Sequence, residues 1–229
     1  MRDREVGDRW ALVVVPARCD LRDRRAAWLI GHMTNLVERP NSTRGRRRRE
    51  ELVEAGLALL AEGGWPAVTT RAVAERGGAN QGLIHYHFGG LPALRLEIAR
   101  RAGDAVMMPV VEALLAAPDA GSALDAMRGV VPRVGGDEKV VRLSVELIVG
   151  AIRQPELGDA LRAGLREARG QIADWLGTLN PHWSAERRTG TATLVTALLD
   201  GMVLHHLLDA ELSVESALAA LGELIGADS

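Results

Sequence analysis

The sequence predicts an all-α protein, with three short helices followed by six or seven longer ones. Three observations carry that reading. No segment shows the apolar–polar alternation of a half-buried strand. Ala, Leu, Arg and Glu, which suit helices, dominate the composition, and aromatic residues make up only 3%. Gly-Gly pairs, prolines and Ser, Thr, Asn or Asp caps punctuate the chain at helical lengths.

The elements follow in order. Residues 1–42 read as an N-terminal extension. Its first 32 residues hold charged clusters, the short ALVVV run, Trp10 and Trp28, with no cap or heptad to organise them. A more natural polar start opens at Met33, so residues 1–32 are expected to be a disordered tail or an upstream over-extension of the reading frame. Cys19 lies there with no neighbouring His or helix cap to lower its pKa, which makes it an incidental thiol.

Residues 43–103 read as one domain. A helix begins near Arg46, with Leu52, Ala55 and Leu59 on one face, and Gly63-Gly64 stops it. Thr69 or Thr70 caps a second helix, Arg71 to Arg76, which ends at Gly77-Gly78. Asn80 caps a third, Gln81 to Phe88, which ends at Gly89-Gly90. A fourth opens with Pro92 in its first turn. Residues 104–229 read as a second domain. Its helices are expected over 104–117, 122–131 (closed by Pro132), 137–153, 155–179, 184–209 and 213–225.

Composition bounds the function. The chain has 229 residues, 47% of them hydrophobic and 25% charged, which is ordinary for a globular protein. A single cysteine excludes a disulfide framework within the chain and a cysteine-rich zinc site. No apolar run approaches the roughly 18 residues a membrane helix needs, and Trp10 to Pro16 is too short for a secretory core. A cytoplasmic protein with no membrane partner is expected. Of 28 basic residues only Lys139 is lysine, which reads as codon bias rather than function. The net charge of −2 hides an asymmetry. Residues 43–101 carry 10 arginines against 6 acids, and residues 102–229 carry 10 basic residues against 18 acids. A basic module joined to an acidic one raises the question of nucleic acid.

The helix pair over 70–88 has the form of a helix-turn-helix, in which one helix braces across the backbone and the next enters the major groove. Asn80 and Gln81 stand at the start of the second helix, where amides can read adenine. Thr70 sits at a helix N-terminus, suited to a phosphate. Tyr86 and His87 bring a phenol and an imidazole to the far end.

These residues resemble the DNA-binding domain of the TetR family of bacterial repressors. The resemblance covers about residues 45–101. It is carried by TTRAVAERGG, by HYHF with His85 in the first aromatic position, and by RRRREELVEAGLALLAEGGWPAVTT upstream. It implies phosphate contacts at Thr70, Tyr86 and His87. It implies base-edge or nearby contacts at Arg71, Asn80, Gln81 and His85, and a thymine-methyl or sugar contact at Leu83. Gly56 falls where the family has a small residue. One departure stands out: Leu91 occupies the position of a phosphate-touching lysine, after Gly89 and Gly90 in place of polar residues. Arg44 and Arg46 to Arg49, with Arg46 and Arg47 foremost, are expected to compensate as a basic arm. Trp65 and Phe88 are expected to be core plugs.

The resemblance further implies a homodimer and an effector pocket. Leu194, Ala197, Leu198, Gly201 and Met202 form one stripe, and Leu161, Leu165, Ile172 and Leu176 a matching one, for a dimer four-helix bundle. Dimerisation would set two recognition helices about one DNA turn apart, on a near-palindromic operator. Met107, Met108, Val111, Leu115 and Met127, with Leu147 among the residues opposite, are the candidate lining of a pocket for an apolar small-molecule effector. Adjacent His205 and His206 diverge by about 100° on a helix and cannot readily share an ion, so neither a metal nor any other cofactor is expected. Nucleophile-elbow, phosphate-loop, zinc-protease and dinucleotide patterns are absent, which argues against an enzyme. The function expected is a ligand-responsive, DNA-binding transcriptional repressor. The competing expectation is a helical ligand- or partner-binding protein whose helix-turn-helix no longer binds DNA specifically.

Overall fold

The computed structural model describes residues 43–209 and 211–225. The readings made for residues 1–42, including Cys19 and a start at Met33, lie outside the described residues. Among the described residues there are nine helices and no strand. They are α1 (Thr43–Ala67), α2 (Thr70–Arg76), α3 (Gln81–Phe88), α4 (Leu91–Leu115), α5 (Ala120–Gly136), α6 (Glu138–Arg153), α7 (Pro155–Leu179), α8 (Ala185–Leu208) and α9 (Val214–Ile225).

Most helix ends are set by side chains the sequence makes conspicuous. Thr69, Asn80, Asp119, Asp137 and Ser184 each accept a backbone N–H in the first turn of the helix that follows. Such a cap contributes about 1 kcal/mol. α1 is interrupted at Gly64, whose φ of +68° and ψ of −171° are not helical. Gly89 and Gly90 take φ of +77° and +140°, so two successive residues turn the chain from α3 into α4 in a conformation that L side chains resist.

Two expectations of helix ends fail. Residues 91–101 and 104–117 are not two helices but one, α4, which runs through Gly103. Asp104, which looked like a helix start, accepts a hydrogen bond from Arg100 one turn earlier at 2.9 Å. The buried Leu94, Ile98 and Ala102 on one stretch and Val111 and Leu114 on the next hold the rod together. α5 likewise continues through Pro132 to Gly136. Burial of Val130, Val131 and Val134 there offsets the roughly 3 kcal/mol a mid-helix proline costs.

Two apolar cores result. The first is built from α1, α2, α3 and the start of α4, and it takes in Leu143 and Leu147 of α6 and Leu157 of α7. We call α1 to α3 with residues 91–101 the head. Gly56 is where α1 meets α4: a Cβ there would lie 2.2 Å from Ile98 Cδ1. Arg95 donates to the carbonyls of Val68 at 2.8 Å and Trp65 at 3.2 Å, holding the α1–α2 loop. The second core joins the end of α4 to α5, α7, α8 and α9, which we call the bundle with α6. The Trp175 indole donates to Ala117 O at 2.9 Å and ties α7 to the α4–α5 loop. No polar or charged residue is buried among the described residues.

Candidate functional site

The α2–α3 pair presents its polar side chains outward because its apolar ones are anchored inward. Ile84 is fully buried, and Leu83 and Phe88 pack against the first core. Gln81, His85 and Tyr86 are exposed, and Tyr86, two residues on from Ile84 and so on the opposite face of α3, is 76% exposed. The Tyr86 ring meets His87 edge-on at 5.0 Å. Thr69 rather than Thr70 is the α2 cap, so Thr70 occupies the first helical position, where its N–H lacks an intrahelical partner. Asn80 Oδ1 accepts Leu83 N–H at 3.1 Å. A two-bond contact to adenine uses both amide atoms. Gln81 therefore has the freer amide, and Asn80 works first as a cap. Leu83, expected at a thymine methyl or a sugar, is partly buried against the first core.

The arginine run divides by partner. Arg48 donates to Gly77 O at 3.0 Å and pairs with Glu51, so it braces the end of α2. Arg49 pairs with Glu97 at 3.3 Å and lies 4.9 Å over the Phe88 ring. Arg47 pairs with Glu51 at 3.0 Å with its side chain 81% exposed, a contact worth well under about 1 kcal/mol and readily exchanged for phosphate. Arg46 and Arg71 are exposed, and no ion pair holds them among the described residues. Leu91 is half-buried against the first core. Burial lowers the His87 pKa, with Arg49 and Arg48 adding to the shift.

The bundle holds a cavity of about 320 Å³ lined by α4, α6, α7 and α8 with Val134 of α5, and it is open on one side, where Val145, Ile148 and Leu204 are exposed. Met107, Val111 and Leu147 line it, but Met108 and Met127 do not. Met108 follows Met107 on α4 and points about 100° away. Met127 is buried in the second core. The α7 stripe proposed for a dimer also turns inward: Leu161, Leu165 and Ile172 line the cavity, and Leu176 joins the second core. On α8, Leu194 and Leu198 are 66% and 49% exposed. Gly201 borders the cavity, and Met202 packs against the second core.

Only three cavity residues carry polar side-chain groups: Ser144, Thr196 and Asp200. The Ser144 hydroxyl donates to Val140 O at 2.9 Å and that of Thr196 to Ala192 O at 2.8 Å, so both protons face their own helices. Asp200 has no hydrogen bond or ion pair among the described residues. Burial raises its pKa, opposed by the charge of Arg169. Sequence reasoning missed Asp200. Its signal was there: from Leu194 to Leu208 it is the only carboxylate or guanidinium in an otherwise apolar helix with Thr196 and two histidines.

The cavity and the head share α6. On one side of α6, Glu146 Oε2 accepts the backbone N–H of Trp65 at 3.1 Å, and Glu146 O accepts its indole N–H at 2.7 Å. A Cβ at Gly64 would lie 2.7 Å from the Glu146 carboxylate, and one at Gly150 would lie 2.5 Å from the indole nitrogen. Both glycines are needed for this fit. On the other side, Ser144, Val145 and Ile148 line the cavity, and Leu147 reaches both the cavity and the first core.

Among the described residues no helix is long and apolar enough to cross a membrane. His205 is exposed, while His206 lies over Gly135 of α5.

The comparisons with known proteins agree with this arrangement. Residues 52–98, the head from mid-α1 into α4, match the family described as bacterial regulatory proteins, tetR family. Residues 118–227 match the tetracyclin repressor-like C-terminal domain. No curated protein matches the sequence. Among solved structures, one assigned as a transcriptional regulator of Streptomyces coelicolor A3(2) is 30% identical, with TM-score 0.66, over 77% of this chain and 97% of that one. A member of the TetR family from Streptomyces coelicolor A3 is 28% identical, with TM-score 0.60, over 77% and 97%. The multidrug binding protein EbrR, solved with imidazole, is 26% identical, with TM-score 0.58, over 77% and 94%. With a helix-turn-helix head, a helical bundle behind it and family matches over both, the chain belongs to the TetR family of bacterial transcriptional regulators.

Proposed function

We propose that this DNA-binding regulator is a cytoplasmic repressor. It binds a near-palindromic operator as a homodimer, and a small molecule in the bundle cavity releases it. The observation that carries the ligand response is α6, which holds Trp65 with Glu146 on one side and lines the cavity with Ser144, Val145 and Ile148 on the other. An occupant that favours a shifted α6 must also favour a shifted head, because the two share one helix. The multidrug-binding relative supports a small-molecule occupant. On the DNA side, Thr70, Tyr86 and His87, with Arg46 and Arg47, are the phosphate contacts of this reading. Arg71, Gln81 and His85 face base edges, and Asn80 sets the helix end from which they project. The exposed Leu194 and Leu198 of α8 start the subunit contact.

Fluorescence anisotropy tests the reading, with duplexes tiling the DNA beside the gene at two salt concentrations. One near-palindromic duplex should bind tightly over a weak, salt-sensitive background. Tyr86→Ala and His87→Ala should each weaken it, and unchanged binding by both would overturn the contact assignment.

The second reading, a helical ligand- or partner-binding protein without specific DNA binding, has one observation in its favour. Leu91 packs against the core where the family places a phosphate-touching lysine. No sequence-selective binding at low salt would favour it.

A further inference from the structure

The cavity has an unusual distribution of polarity. Its wall is aliphatic and holds no aromatic ring. Of its three polar side chains, two donate to their own helices and leave the third, Asp200, as the only charged group. No hydrogen bond or ion pair reaches that carboxylate among the described residues. Arg169 of α7 favours its charged form, though no ion pair joins the two among the described residues.

Asp200 also faces away from the surface proposed for subunit contact. It follows Leu194 by six residues on α8, which places it about 120° away round the helix. Leu198 lies only about 40° from Leu194 on the same count. The carboxylate is thus turned toward the cavity side, near Thr196, Val203 and Leu204, and stands partly open to solvent. At the rim of an apolar cavity and without a partner among the described residues, this carboxylate is free to meet a positive group that enters beside it.

We infer that the cavity takes a hydrophobic cation, with a small apolar body against the aliphatic wall and its positive charge beside the Asp200 carboxylate at the opening. This rests on reading the cavity as the effector site. The volume of about 320 Å³ lies at the lower end for ligand pockets and fits a one- or two-ring body. The lack of aromatic rings removes cation–π attraction, so discrimination between a cation and a neutral molecule of equal shape falls on Asp200 alone.

The test compares three probes by titration calorimetry on the full chain: naphthylmethyl-trimethylammonium, its neutral carbon isostere neopentylnaphthalene, and naphthylmethanesulfonate. The cation should bind about ten-fold or more tighter than the isostere, and the sulfonate most weakly. In Asp200→Asn the cation and isostere should come within about two-fold of each other, with isostere affinity unchanged. Asp200→Glu should retain the preference. Overturning results are no cation preference, a preference that survives Asp200→Asn, or no binding by any probe. So is a weaker dimer in Asp200→Asn with cation binding intact, because the carboxylate would then serve the subunit contact.

Operator anisotropy on the same samples separates this inference from the reading beneath it. A cation bound through Asp200 that leaves operator affinity unchanged upholds the inference and overturns the effector role of the cavity. Operator release by the isostere as readily as by the cation does the reverse.

Discussion

In the head, Arg48 holds Gly77 O at 3.0 Å, Arg95 holds Val68 O at 2.8 Å, and Asn80 holds Leu83 N–H at 3.1 Å. In the bundle, Asp200 lines a cavity and holds no partner among the described residues. The two regions use polarity in opposite ways. The head commits polar side chains to backbone atoms, which braces both ends of α2 and the start of α3 and leaves a small exposed set to face outward. The bundle leaves both volume and charge unmet. A head that must match the geometry of a groove gains from rigidity, and a body that must change state gains from space.

The comparison can be broken most directly by paired truncations. Leu94→Ala, at a fully buried head position, should cost about 2–5 kcal/mol in urea unfolding. Leu165→Ala, at the half-buried cavity wall, should cost roughly 1 kcal/mol, because its removal enlarges an existing void. Equal costs would mean that the bundle is as tightly built as the head.

The joint between the regions offers a second test. Trp65→Phe removes the indole donor to Glu146 O and should cost about 1–2 kcal/mol. Its larger effect should be on linkage, with the shift in operator affinity caused by a bound cavity ligand falling by half or more. An undiminished shift would move the coupling path away from α6.

The capping amide sharpens the view of the head as a rigid mount. Asn80→Ala should cost about 1 kcal/mol in stability and also weaken operator binding. Asn80→Asp keeps the cap, so its melting temperature should match the parent, while its added negative charge still weakens binding to DNA. If both variants bind operator like the parent, Asn80 lies away from the interface.

The smallest effect is a pH dependence. In the free protein the His87 pKa is lowered, by burial and then by Arg49 and Arg48. A DNA phosphate beside the imidazole would favour its protonated form, so the complex binds more protons than the free protein. Operator affinity should therefore rise a few-fold as pH falls through the ordinary imidazole range near 6.5 and level off above it. His87→Gln should flatten that dependence, and an unaltered slope would place His87 away from phosphate.

How much of this the sequence disclosed depended on how local the cause was. Asn80, Asp137 and Ser184 act on the next turn of their own chain, so the ends of α3, α6 and α8 were legible. The seam at residues 103–104 was misread because Gly103 and Asp104 look like a boundary. Only the three-dimensional setting shows one residue packed inside and the other paired with Arg100. The cavity was legible only in fragments. A void is made by several helices placed against one another, and periodicity along each does not report their spacing. Hence Met107, Val111 and Leu147 reach it, whereas Met127, chosen on the same grounds, fills the second core. Asp200 was overlooked because a lone carboxylate in a helix ordinarily reads as surface.

The continuity of α4 bears on how such a protein could be recombined. At 25 residues it is a rod of about 37 Å that begins under the DNA-facing helices and ends in the second core. The first core also borrows Leu143, Leu147 and Leu157 from helices far along the chain. A chimera spliced at residue 103 would saw through the rod and strip the head of part of its interior. An exchange of operator specificity is better made by grafting the exposed side chains of α2 and α3 onto an intact chain, so that the surface is swapped and the chassis stays whole.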